Sequence, residues 1–162
     1  MRPQYSLIFS ILAILLQVFV VSEVSAGWFG NNDSGWSTEE KRNFCHFLNS
    51  QRADSQAARI SSSTSAGYAS EQQVSEMLTL WRQALQEAQK VTDSVLDKAH
   101  PELKEKYRNQ YQKALQYQIT AFEQKNVSYS VTGGKMKSDF IDWFSSAKRN
   151  FRVPKGTVGA CQ

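Results

Sequence analysis

Residues 71–99 read EQQVSEMLTLWRQALQEAQKVTDSVLDKA, and the fold class follows from the spacing within them. Val74, Met77, Trp81, Ala84, Ala88, Val91 and Val95 recur at intervals of three and four. On an α-helix such intervals bring side chains to one face, so the stretch predicts a heptad seam held for three repeats. Leu78, Leu85 and Leu96 widen the stripe, which therefore suits a packed bundle better than a single partner helix. Ser70-Glu71-Gln72-Gln73 opens it as a capping box, in which two side chains answer orphan backbone amides. One unbroken helix over 71–99 is expected.

His100-Pro101 interrupts that helix, because proline disfavours α geometry in the residue before it. A further helix is expected from Glu102 to about Lys125, with Leu103, Tyr107, Tyr111, Leu115, Ile119 and Phe122 as its stripe. The join is either a tight antiparallel turn or a sharp kink in one very long helix. The turn is the expected one, since both stripes need cover and short connections make neighbours antiparallel. Ala84 and Ala88 would let the Tyr107 and Tyr111 rows come close.

Before the seam, Ser37-Thr38-Glu39-Glu40 is a second capping box, starting a helix with Phe44, Phe47 and Leu48 on one face. Ala53, Ala57 and Ile60 continue it weakly until SSSTSAG, residues 61–67, breaks the pattern. After the hairpin, Val127, Tyr129 and Val131 alternate ahead of a Gly-Gly pair. That alternation predicts an extended segment lying over the bundle. A last helix is expected from Ser138 to about Phe151, with Phe140, Trp143, Phe144, Ala147 and Phe151 on its apolar side. The sequence thus describes an all-α protein. It is a small bundle of three to four helices built on a long amphipathic hairpin, with an irregular N-terminal arm and a tail carrying Cys161.

Residues 1–26 have the layout of a cleaved secretory signal peptide. Arg2 gives a positive start, Leu7 to Val21 form an apolar core, and Val24-Ser25-Ala26 offers small residues for cleavage. That core is short for a membrane span, which needs about 20 residues. Residues 27–36 form a glycine- and asparagine-rich arm with Trp28, Phe29 and Trp36, and 37–162 a single helical domain. The chain is expected in the periplasm or outside the cell. Asn32 and Asn126 each begin an Asn-x-Ser sequence, which matters only in a eukaryotic secretory route. The formal net charge of +4 is concentrated near the C-terminus, where residues 135–155 hold six Lys or Arg against Asp139 and Asp142. A nucleic-acid binder is usually more basic throughout, so no nucleic-acid partner is expected.

The pair Cys45-His46 invites a catalytic reading. Adjacent helical residues project about 100° apart, so His46 is badly placed to take the thiol proton. An exported chain meets an oxidising environment, and a Cys45–Cys161 disulfide explains both cysteines at once. Closing so long a loop removes about 5 kcal/mol of denatured-state entropy. No C-x-x-C, H-E-x-x-H, EF-hand, P-loop, G-x-S-x-G or dinucleotide fingerprint occurs. No catalytic, metal or cofactor residues are assigned, and no enzymatic activity is expected.

Two features point to interaction. The arm offers Trp28, Phe29 and Trp36, which either anchor a partner or cap the bundle. The helix over 138–152 sets Trp143, Phe144 and Phe151 beside Lys148, Arg149 and Arg152. Its apolar side is expected to pack on the bundle, with the cations complementing the helix dipole. The other reading is contact with a protein partner or an anionic membrane surface. The expected function is non-enzymatic protein–protein binding, with membrane-surface binding through 138–152 as the alternative. The seam over 74–95 also offers a route to self-association.

Overall fold

The computed structural model describes residues 35–63, 69–155 and 161. The expected leader and all of the arm but Gly35 and Trp36 lie outside them. The described chain is all-α, with no β-strand among the described residues. Helix α1 spans Thr38–Ser63, α2 Glu71–Lys90, α3 Asp93–Ala99, α4 Leu103–Lys106, α5 Lys113–Glu123 and α6 Val127–Ala147. A π-helical turn, Tyr107–Gln112, joins α4 to α5, and a 3₁₀ turn, Lys148–Asn150, follows α6.

Both capping boxes form. The Ser37 hydroxyl accepts from the Glu40 amide at 3.1 Å while the Glu40 carboxylate accepts from the Ser37 amide at 2.7 Å. Ser70 and Gln73 repeat the exchange at the start of α2. From these starts the chain runs up and down as four rods. Ser50 reaches the Ala84 carbonyl and His46 reaches Glu87, which sets α1 antiparallel to α2. Trp81 packs on Phe122 while Gln112 donates to the Ala88 carbonyl, so the hairpin is the antiparallel turn and not a kink. Tyr117 meets Tyr129 and Tyr111 meets Phe140, which turns α6 back along α5 and the π turn. Phe47 against Phe144 and Asp54 against Lys137 close the ring between α1 and α6.

The expected continuous helix over 71–99 is instead broken at Val91-Thr92. A break strands backbone groups that need partners, and side chains from other elements supply them. Asn43 of α1 donates to the Lys90 carbonyl and accepts the Thr92 amide. Arg108 donates to the Ala88 and Val91 carbonyls. The seam still works as a seam: Met77, Trp81, Ala84, Ala88, Val91 and Val95 are all buried under this chain's own helices.

The π turn corrects the register of the third rod. Leu103, Tyr107, Tyr111, Leu115 and Ile119 repeat at intervals of four, and on an α-helix each such step drifts about 40° around the axis. A π turn holds more residues per turn, so the drift is cancelled and all five side chains are buried. The rod ends at Lys125, whose φ of 51° lets the Asn126 amide close back on the Ala121 carbonyl.

The extended segment expected at 127–131 is helical. Asn126 caps α6 by accepting the Ser128 amide at 3.0 Å. The helix then runs unbroken to Ala147, eleven residues longer at its start than the sequence reading placed it. The Gly-Gly pair does not turn the chain. A Cβ on Gly133 would sit 2.9 Å from the Tyr117 Cβ and 3.1 Å from the Ala114 carbonyl. The glycine is therefore what lets α6 press against α5.

Candidate functional site

The described residues that the sequence singled out, in α1, α6, the tail and the end of the arm, gather at one end of the bundle. Cys45 and Cys161 form a disulfide with a Cα–Cα distance of 5.2 Å. It fastens the tail across α1, where Arg52 also donates to the Cys161 carbonyl at 2.9 Å. The tail is held a second time by the Arg152 amide, which donates to the Ala99 carbonyl at 2.9 Å. His46 points away from the cysteine, to Glu87 at 2.8 Å. Burial opposes the charge on Glu87, but hydrogen bonds from Lys90 and His46 outweigh it and hold the carboxyl below its ordinary value.

Aromatic rings fill the space under this staple. Trp36 packs edge-on against Phe44, and Lys98 lies over its ring 5.0 Å from the centroid. The same ammonium donates to the Gly35 carbonyl and to both Glu40 oxygens. The Lys98 hydrogen bond is the chief reason that Glu40 titrates below its ordinary range. Phe44, Phe47, Tyr107, Phe140, Phe144 and Phe151 continue the cluster inward. Trp36 and Phe151, offered by the sequence as candidate contacts, are buried in the chain's own core. Trp143 and Phe144 are half-buried, and Trp143 donates to Glu102 at 3.1 Å. Lys148 is half-buried, while Arg149 and Arg152 are exposed. Trp28 and Phe29 lie outside the described residues.

His100, which marks the helix break, also belongs to this end. Its ring stacks on Phe151 at 5.0 Å and meets Trp143 edge-on at 5.4 Å. Its Nδ1 accepts the Glu102 amide at 3.2 Å. The signal was present in the sequence: a histidine beside a helix break, where backbone groups lack helical partners.

The sequence reading also missed a polar group midway along the bundle. Lys137 Nζ lies 2.5 Å from Asp54 Oδ1, with side chains 10% and 6% exposed. Nearby, the Ser50 hydroxyl donates to the Ala84 carbonyl and pairs with the Tyr111 hydroxyl at 3.1 Å. Burial first, then the Asp54 charge, pushes the Tyr111 phenol well above its ordinary value. The adjoining cavity is about 10 Å³, far too small for an organic ligand. These groups therefore act inside the structure. Among the described residues no cluster of His, Cys, Asp and Glu is arranged to hold a metal ion, and no helix is long and apolar enough to cross a membrane.

Fold and site together define a disulfide-stapled, all-α four-rod bundle. No protein-family model, curated protein or solved structure matches this chain.

Proposed function

We propose that this is an exported, non-enzymatic protein that acts by binding another protein in the periplasm or extracellular space, using the stapled end of the bundle. The observation that carries the reading is the convergence of three chain segments there. The docked Trp36, the junction around His100 and the disulfide-held tail meet on a rigid aromatic base, with Arg149 and Arg152 exposed above it. A surface held in advance loses little entropy on binding, and arginine is favoured at contact centres. The disulfide and the leader-like first 26 residues favour an oxidising compartment.

The test is capture from envelope and secreted fractions, comparing the oxidised protein with Arg149→Glu/Arg152→Glu. A specific protein recovered by the first and lost by the second, at unchanged Tm, is the expected result. Equal recovery by both would refute the reading.

A further inference from the structure

An open cleft of about 460 Å³ lies beside the staple, between the end of α3 and the tail, lined in part by His100, Pro101, Asn150 and Arg152. We propose that it binds a carboxylate carried by the partner, on an acidic side chain or at a chain end. The proposal rests on the protein-binding reading above and names the chemistry of its site.

Four features support this assignment. His100 is buried with Nδ1 fixed as an acceptor by the Glu102 amide, so in the neutral ring the proton sits on Nε2 as a donor. The ring is wedged against Trp143 and Phe151, which fixes its orientation. Arg152 is anchored through its own amide on Ala99, while its exposed side chain makes no ion pair among the described residues. A guanidinium offers the planar fork that a carboxylate accepts in two parallel bonds.

The other charged side chains of the cleft are already matched. Asp97 pairs with Lys104 at 3.1 Å, and Lys98 with Glu40 at 2.7 Å. The Leu96, Ala99 and His100 carbonyls accept the amides of His100, Arg152 and Leu103, so they do not compete as acceptors. The local charge balance therefore leaves the Arg152 cation as the group seeking an anion. The volume suits a peptide end or a single acidic side chain.

The experiment is an amide-NMR titration of the oxidised protein with succinate and with trialanine, the latter carrying either a free or an amidated C-terminus. Saturable shifts at Ala99, His100 and Arg152 are expected with succinate and free-acid trialanine, and none with the amidated peptide. Arg152→Gln should weaken binding at least tenfold, and Arg152→Lys should restore only part of it. No saturable shift with either carboxylate, equal binding of the amidated peptide, or unchanged affinity in Arg152→Gln would each overturn the proposal. Carboxylate binding without any captured protein would leave the cleft standing and remove the protein-binding reading. Capture without carboxylate binding would do the reverse.

Discussion

The two ends of the bundle are held together by opposite means. At the stapled end, large rings from α1, α6 and the third rod interlock beneath a covalent bond. At the far end, where α6 begins, small residues share the contact with rings: Gly133 lies against Ala114 and Tyr117, Ser130 and Ala121 are also buried, and Tyr129 stacks on Tyr117. Large rings hold helices further apart, whereas a glycine at the contact lets two helix backbones approach closely. The proposed contact surface lies at the aromatic end.

The difference can be broken in order of expected effect. Replacing both cysteines, Cys45→Ser with Cys161→Ser, should lower unfolding free energy by about 2–5 kcal/mol in chemical denaturation. In hydrogen exchange the loss of protection should concentrate at residues 97–103 and 147–155, leaving 113–140 comparatively protected. Uniform loss along the chain would show that the ends are not independent.

Between the ends, Asp54→Ala should cost about 3–5 kcal/mol, because it strands the Lys137 ammonium in the interior. Asp54→Leu with Lys137→Met should recover most of it, measured as a double-mutant cycle. A double variant as unstable as the single would mean the pair itself, not the stranded charge, supplies the stability.

At the far end, Gly133→Leu should lower stability by about 1–3 kcal/mol through overpacking. Leucine is the better helix former by roughly 1 kcal/mol, so a rise in Tm would show that α5 and α6 can separate without loss.

The smallest effect concerns pH. Glu40 titrates lower in the folded chain than in the unfolded one, so its contribution is present at neutral pH. It is lost as pH falls below the ordinary value of 4.5 toward the folded one. Glu40→Gln should flatten the fall of Tm on that acid limb and leave Tm above pH 6 nearly parallel to wild type. An identical acid limb in the variant would show that the Lys98–Glu40 contact contributes nothing.

Much of the architecture was legible in the residues. The seam from Val74 to Val95, both capping boxes, the hairpin and the cysteine pairing all rest on local spacing or simple counting. What escaped depended on distant partners. The break at Val91-Thr92 is stabilised by Asn43 and Arg108 from other rods, and no local pattern announces it. The π turn was partly visible, since five positions spaced by four cannot share one face of an α-helix. The start of α6 was misread because Val127, Tyr129 and Val131 alternate. Its true period continues back from Phe140 as Lys137, Gly133 and Ser130, residues that carry no apolar signal. The same blindness hid the Asp54–Lys137 pair, whose members occupy buried positions where a hydrophobe is expected. The stapled end was legible only as separate pieces, because its convergence is made by the tertiary fold.

The central claim is that the stapled end, and not the far end, is the contact surface. Hydrogen exchange of the oxidised protein, alone and with its captured partner, tests that claim most directly. The account predicts new protection at residues 97–103 and 147–155 with none at 69–82 or 121–133. Protection confined to the far end, with the stapled end unchanged, would contradict it.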